Sequence, residues 1–152
     1  SGEAEKVPLT ANAYEDSIRY QNDSAVFTAN GFVADQDRQD GITDIFKNGW
    51  TANQKGATIT FEVEGSCIGI QYRKTIKLPA PVAEVVIDDD STHAVRLDAN
   101  FDETWGDKLQ LDTIAEHIEK EKHKVQITIT ETHETDQLPF YLVSVIASGK
   151  EK

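Results

Sequence analysis

Apolar residues alternate with polar ones along most of this chain, and a two-residue period is typical of half-buried β-strands. The segment 57–63 shows this clearly, since Ile59, Phe61 and Val63 share one face while threonines and a glutamate share the other. The run 67–73 follows a turn that contains glycine, and it repeats the alternation. These two segments are therefore predicted to form either a hairpin or a crossing between two sheets.

Four further segments extend the strand pattern. Residues 83–87 and 93–97 flank a turn rich in aspartate and serine, whose side chains bond readily to the backbone, so a second hairpin is expected. Residues 124–130 alternate regularly. Residues 140–148 are apolar at nearly every position, which predicts a last strand that is buried on both faces.

Two parts of the chain give weaker signals. Residues 25–33 and 42–46 are strand candidates separated by a polar loop. Within 109–121, Leu109 and Leu111 alternate, whereas the later residues Ile114, His117, Ile118 and Glu121 take helical spacing. One or two helical turns are therefore allowed in this stretch.

About eight strands without strand–helix alternation predict an all-β fold, an antiparallel β-sandwich of jelly-roll type with at most a short helical turn. The sandwich domain is expected to span 9–148, with 1–8 as a linker or expression remnant and 149–152 as a C-terminal tail. The chain contains no methionine and begins with Ser-Gly. We therefore expect it to be a piece of a longer protein.

The charge balance excludes some partners. A net charge of −12 at pH 7 argues against binding to nucleic acid or anionic membranes, because both depend on clustered lysine and arginine. It also favours a monomer through self-repulsion. The single cysteine, Cys67, cannot form a disulfide within the chain, and no apolar run approaches the roughly 18 residues of a membrane span. Neutral ligands remain compatible with this composition.

No known catalytic motif is present. The sequence lacks a Gly-x-Ser-x-Gly elbow, a phosphate-binding loop and a His-Glu-x-x-His helix. The four histidines, His93, His117, His123 and His133, are scattered at predicted strand or loop edges, where a solvated side chain is the usual outcome. We therefore predict no catalytic residue and no metal ligand.

Six aspartates are candidate ligands for a calcium ion, the one cofactor that the sequence allows. Calcium takes six to eight oxygen ligands, and loops of a sandwich can supply carboxylates from distant positions. However, three of these aspartates fall in the predicted hairpin turn, where solvated carboxylates are commoner, so no bound cofactor is the main expectation. The six are Asp88, Asp89, Asp90, Asp98, Asp102 and Asp107.

Both tryptophans lie in polar segments that contain glycine. A tryptophan ring can cover the apolar face of a sugar while neighbouring polar groups bind the hydroxyls. The alternative is that each ring plugs an open end of the sandwich, with its indole N–H bonded to a loop carbonyl. Residues at a nearby strand end could reach the same face as the tryptophans. The candidate ligand-binding residues are Trp105, Asp102, Asp107, Trp50, Tyr72 and Arg73.

The surroundings of the two tryptophans differ. Trp105 has three acidic residues within a few positions and is followed by Gly106, which permits turns that a Cβ forbids. Trp50 has Lys47, Asn48 and Thr51 as its nearest polar neighbours. Trp105 is therefore expected to contact ligand, whereas Trp50 has more of the character of a plug.

The order of eight segments along the chain is distinctive. They are 7–15, 27–30, 46–50, 59–73, 83–89, 105–106, 122–127 and 140–148. Together these segments resemble the β-sandwich accessory domain that follows the catalytic domain in some bacterial SGNH/GDSL-type acyl hydrolases. The pattern departs from that family where Asp89 replaces a turn glycine and where Glu103 and Thr104 precede Trp105.

The resemblance implies a sugar-binding-like jelly roll attached to a carbohydrate-active or lipid-ester-active enzyme, in a secreted or cell-surface bacterial protein. It implies no catalysis here, because the Gly-Asp-Ser nucleophile block is absent. Asp90 and His93 match the Asp-x-x-His spacing of these hydrolases, but they lie in the predicted hairpin turn, and we interpret the match as coincidence.

Two functions follow as hypotheses. The first is a noncatalytic module that binds a neutral polysaccharide or oligosaccharide through loop aromatics, next to a tethered catalytic domain. The second is an interaction domain that docks onto its own catalytic neighbour and uses Trp50 and Trp105 as buried anchors. Exposed tryptophans would favour the first hypothesis, and protected ones the second.

Overall fold

The computed structural model describes residues 17–36, 46–101, 106–116, 118–119 and 121–149. Eleven strands lie within these residues, together with one 3₁₀ turn at Ser91–His93. The strands are β1 (Ser17–Tyr20), β2 (Val26–Asn30), β3 (Val33–Ala34), β4 (Trp50–Ala52), β5 (Thr58–Gly65), β6 (Cys67–Lys74), β7 (Val82–Ile87), β8 (Val95–Asp98), β9 (Lys108–Ala115), β10 (Glu121–Glu131) and β11 (Phe140–Ser148).

The strands form two antiparallel sheets, which confirms the predicted sandwich. One sheet has the order β3-β4-β11-β6-β9, with β1 also paired to β11. The other has the order β2-β5-β10-β7-β8. The count exceeds the expected eight because β1, β3 and β4 are only two to four residues long. No helix in the described part of the chain is long and apolar enough to cross a membrane.

The first two predicted strands cross between the sheets. β5 belongs to the five-stranded sheet and β6 to the six-stranded one. At the crossing, a Cβ on Gly65 would lie 2.6 Å from the carbonyl oxygen of Ser148, so only glycine fits there without movement. Of the two arrangements that the sequence allowed, the structure shows the crossing.

The core forms between the two sheets, as the alternation predicts. Ile59, Phe61 and Val63 of β5 point inward and are almost fully buried. The predicted hairpin is present, since β7 pairs with β8. β11 is buried along its whole length. On its outer side, Ile146 packs with Cys67, and this also confirms the prediction of a strand buried on both faces.

The helical turns allowed within 109–121 are wrong for the residues described there. β9 is a strand that pairs along β6, so its backbone groups are satisfied by a sheet ladder rather than by a helix. Leu111 packs on the outer side of the sheet and Ile114 against the core, as a strand requires. The structure divides the candidate 25–33 into β2 and β3 at Gly31, whose φ is 96°. Residues 1–8, 42–45, His117 and 150–152 lie outside the described residues.

Candidate functional site

The sandwich has two ends at which loops gather. We call one the Arg73 end, formed by the described segments 75–81, 99–101, 106–107 and 132–139, which adjoin the last residues of β6. The other is the His123 end, formed by 66, 88–94 and the described residues 116 and 118–119, which adjoin the start of β10. Two of the predicted ligand-binding residues, Arg73 and Asp107, lie at the Arg73 end.

Arg73 is held in one orientation near the end of β6. Its Nη2 donates a hydrogen bond of 2.8 Å to the carbonyl oxygen of Pro139. Its Cζ lies 5.8 Å from the ring centre of Phe46 and 5.4 Å from that of Tyr141, distances at which a cation is attracted to an aromatic face. Burial lowers the pKa of Arg73, and the charge of Asp107 partly offsets this. The guanidinium is therefore a fixed, partly covered cation.

Asp107 lies beside this cation in an exposed position just before β9. The residue before it, Gly106, has φ 154° and open space around its Cα. The structure thus brings two predicted residues, Arg73 and Asp107, within electrostatic range of each other. The other two, Asp102 and Trp105, lie outside the described residues. A cation and a carboxylate at one loop end can donate to and accept from the hydroxyls of a sugar.

Tyr72 does not belong to a ligand-contacting surface. It is 1% exposed and its ring stacks on Phe140, with centres 5.6 Å apart and planes at 10°. Its hydroxyl donates a hydrogen bond of 2.8 Å to Asp112. Burial and the hydrogen bond to Asp112 both raise the pKa of Tyr72. Placing Tyr72 in the ligand-binding set was therefore wrong, because the strand alternation turns it into the core while its neighbour Arg73 faces outward.

Trp50 is also a core residue. It is 0% exposed, and its ring meets Phe27 and Phe61 edge to face at 5.2 and 5.1 Å between centres. Trp50 therefore cannot offer a ring face to a ligand, and of the two interpretations its surroundings match the plug. That interpretation also expected the indole N–H to bond to a loop carbonyl. Within the described part of the chain, the Trp50 N–H has no hydrogen-bond partner.

Polar residues that the sequence analysis missed stabilise the loops of the Arg73 end. The side-chain amide of Asn100 donates to the carbonyls of Thr75 and Lys77 at 3.0 and 3.1 Å. Lys74 Nζ donates to the carbonyl of Asp98 at 2.9 Å. The only local signal was the Asp98-x-Asn100 spacing, since the Asn100 N–H donates to the Asp98 carboxylate as in an Asx turn. These bonds fix the loops that adjoin Arg73 and Asp107.

Three of the aspartates considered for calcium, Asp88, Asp89 and Asp90, are bonded to protein donors. Asp88 accepts from the Lys124 N–H at 2.8 Å, and one Asp89 oxygen lies 2.7 Å from Lys124 Nζ. Asp90 accepts from the N–H of Thr92 at 3.2 Å. Among the described residues, no group of three or more histidines, cysteines, aspartates or glutamates is placed to hold a metal ion.

The Asp-x-x-His pair of the turn is formed but exposed. His93 Nδ1 lies 2.8 Å from Asp90 Oδ2, and the two side chains are 83% and 51% exposed. The hydroxyl of Thr92 contacts the same ring nitrogen, Nδ1, at 3.2 Å. Within the described chain, no hydroxyl bonds to the opposite nitrogen, where a triad places its nucleophile. The pair is therefore part of a turn and does not form a hydrolase triad.

Comparisons with known proteins place this fold in context. The chain is 62% identical to part of a solved two-domain esterase active on acetylated mannans, co-crystallized with mannopentaose, with a TM-score of 0.88. The match covers 96% of this chain and 40% of that one. A second solved structure of a two-domain esterase active on acetylated mannans is also 62% identical with a TM-score of 0.88, and the match covers 95% of this chain and 39% of that one. No family model matches the chain, and no curated protein matches it.

More distant structures share the fold alone. A family two carbohydrate esterase from Cellvibrio japonicus is 14% identical with a TM-score of 0.57, and the match covers 88% of this chain and 34% of that one. A carbohydrate-binding module, Xyl-CBM35, solved with a glucuronic acid containing disaccharide, is 18% identical with a TM-score of 0.53. That match covers 88% of this chain and 99% of the module.

The share of each chain that the matches cover shows that this chain corresponds to a domain rather than to the whole esterase. The chain spans about two fifths of the length of the similar esterase, but it matches nearly the full length of an isolated binding module. Its described residues form no triad, and its sequence has no nucleophile block. The predicted resemblance is thereby confirmed: this chain is a β-sandwich domain similar to one part of a two-domain esterase.

Proposed function

We propose that this domain binds a neutral glycan without catalysis, as the accessory module of a carbohydrate-active esterase whose catalytic domain lies outside the chain. The observation that carries the proposal is the 62% identity, over 96% of this chain, to part of an esterase co-crystallized with mannopentaose. We further propose that the protein is bacterial, is a monomer and acts outside the cell or at its surface, where polysaccharide is met.

The proposed ligand is a chain of neutral hexoses, with a mannan as the first candidate. The similar esterase is active on acetylated mannans. A mannan carries hydroxyls and, where acetylated, esters, but no charge. That chemistry suits a domain of net charge −12, which would repel an anionic polysaccharide.

The proposed binding surface is the Arg73 end. Arg73 would donate to sugar hydroxyls, and Asp107 would accept from them, because both reach this end from strands that the core fixes. We propose that Trp105 supplies the apolar face and Asp102 a further acceptor. Trp50 has no direct role in this arrangement, because it is buried in the core.

Trp105→Ala is expected to weaken binding of mannopentaose by about 1–3 kcal/mol, with little change in melting temperature, because stacking on a sugar contributes to affinity rather than to folding. Isothermal titration calorimetry with mannopentaose measures the first quantity and thermal melts the second. The matched control is Val26→Ala in β2, where the side chain is 67% exposed and the residue pairs with Glu62, toward the His123 end.

Two outcomes would contradict the proposal. Wild-type protein that binds neither mannopentaose nor any other neutral glycan would leave no ligand for the site. Trp105→Ala that binds as wild type would move the site elsewhere. A domain that ignores sugars but binds its own esterase domain tightly would instead support the docking hypothesis.

A further inference from the structure

His123 is a buried histidine held between two acceptors. It is 5% exposed and lies near the start of β10. Its Nδ1 is 2.6 Å from Asp88 Oδ2, and its Nε2 is 2.7 Å from the carbonyl oxygen of Glu119. A carbonyl oxygen can only accept a hydrogen bond, and so can an ionised carboxylate. Both ring nitrogens must therefore carry a proton, which makes this side chain an imidazolium.

Asp88 is ionised in this arrangement. Its second oxygen, Oδ1, accepts from the N–H of Lys124 at 2.8 Å. Burial would raise the pKa of Asp88, but the hydrogen bonds from His123 and Lys124 and their charges outweigh it and hold that pKa below its usual value. Asp88 therefore does not supply the proton of the shared bond, and the second proton belongs to His123.

The doubly protonated ring connects two segments that are distant in sequence. Asp88 begins the β7–β8 turn, in a left-handed conformation with φ 52°. Glu119 belongs to the connection between β9 and β10. In that connection the Ile118 N–H donates to the carbonyl of Ser66 at 3.0 Å, and the Ile118 side chain packs against the core. The proton on His123 thus links the turn to the connection.

A cleft of about 870 Å³ lies where these two segments meet. Asp88 and Asp90 line it from the turn, and Ile114, Ile118 and Glu119 line it from the other side. His123 is also part of its wall. Any change in the spacing of the two segments therefore changes the width of the cleft.

We propose that His123 is a proton-dependent latch that holds the β9–β10 connection against the β7–β8 turn and sets the width of this cleft. When the ring loses one proton, Nδ1–H keeps its bond to the charged Asp88. Nε2 then presents a lone pair to the Glu119 carbonyl, so a hydrogen bond becomes a repulsion between two acceptors. The connection is released while the turn stays bonded to β10 through Lys124.

The charges around the ring set the pH at which this occurs. Burial would lower the pKa of His123, but its bonds to the Glu119 carbonyl and to Asp88, with the charges of Asp88 and Glu121, outweigh burial and raise it. A group with a raised pKa stabilises the fold fully below its unfolded pKa of about 6.5, and the effect is lost as pH rises through the folded pKa. Among the residues that the structure describes, the charged or titratable groups on the surrounding elements are Asp88, Asp89, Asp90, His93, Glu116, Glu119, Glu121, Lys122, Lys124, Glu62 and Glu64.

Two measurements on the same sample test the latch. Heteronuclear NMR of the imidazole ring follows the protonation of His123, and hydrogen exchange follows the protection of the Ile118 amide, corrected for intrinsic exchange, from pH 5.5 to 9. We expect both ring nitrogens to be protonated at pH 6. Protection of Ile118 should fall about five- to tenfold at the midpoint of His123, as expected for the loss of one hydrogen bond.

Three variants distinguish a specific effect of the His123 latch from an effect on the overall stability of the domain. Asp88→Asn keeps the shape of the side chain but removes its charge, so the midpoint of His123 and the step in Ile118 protection should move together to lower pH. His123→Gln should abolish the step. His133→Gln is the matched control, because His133 also lies between two acceptors, here the carboxylates of Glu131 and Asp136, but in the loop that follows β10 at the Arg73 end.

The outcomes are decisive in either direction. A neutral His123 ring at pH 6, or Ile118 protection without a step at the His123 midpoint, would overturn the proposal. If His123→Gln does not fold, the coupled shift in Asp88→Asn still decides the question. A step that persists in His123→Gln would assign the pH response to another group. The glycan-binding result has no bearing on these measurements.

Discussion

Trp50→Ala is expected to lower the free energy of unfolding by about 3–5 kcal/mol, the range for emptying a buried aromatic site. The Trp50 side chain is fully buried and fills the space between Phe27 and Phe61, so its removal leaves a cavity that two neighbouring rings cannot close. For a domain of this size the loss corresponds to a fall in melting temperature of about 6–20 °C. Denaturant titration and thermal melts both measure it.

Two control variants accompany Trp50→Ala, one with a conservative substitution at the same position and one with a substitution at an exposed position. Trp50→Phe keeps most of the ring volume and should cost clearly less than the alanine variant. Val26→Ala on the outer face of β2, where the side chain is 67% exposed, should stay within about 0.5 kcal/mol of wild type. A Trp50→Ala protein that melts like Val26→Ala would show that the tryptophan does not pack as described.

The second large effect is expected at Gly49. A Cβ there would lie 2.1 Å from the carbonyl oxygen of Leu142 and 2.7 Å from Cε1 of Tyr141. The Leu142 oxygen belongs to the backbone of β11, a strand paired on both sides, so it cannot move away. We expect Gly49→Ala to cost about 3 kcal/mol or more, at or above the upper end of the usual range for overpacking. Equilibrium unfolding in urea measures the cost.

Gly56→Ala is the matched control for that experiment. Gly56 has φ 95°, and an added Cβ would meet nothing within 4 Å. Its substitution should therefore cost only the backbone strain of a positive φ, about 1 kcal/mol. If Gly49→Ala and Gly56→Ala lower the free energy of unfolding equally, then the contact between Gly49 and β11 does not restrict the side chain at position 49.

The long strands could be predicted from the sequence because their pattern is local. In β5 and β10, inward and outward positions differ in chemistry at every step, so the alternation predicts both the strand and its buried face. The strands β3 and β4 are too short to show a period. β9 was ambiguous because its inward Ile114 and the later Ile118 both pack on the core, which imitates helical spacing.

The site residues, too, could be predicted where the signal is local and not where it depends on distant partners. Arg73 and Asp107 could be placed at one loop end because polar residues at strand ends tend to face the loops. Tyr72 was misplaced, since nearly every position of β6 is buried and its inward face does not stand out in the sequence. His123 was expected to be solvated. Its partners are a carboxylate 35 residues away and a backbone carbonyl, and a carbonyl leaves no signature in a sequence.

The position of β11 also bears on how the domain is made. β11 is the last strand along the chain, yet β1, β4 and β6 all pair with it directly. During synthesis the larger sheet therefore has no centre until residues 140–148 have left the ribosome. Until then β4 and β6 present unpaired edges, and closing the sheet brings together residues as distant as Tyr20 and Val145. Such long-range pairing makes folding slow, so these strand edges stay open to wrong partners until the final strand emerges.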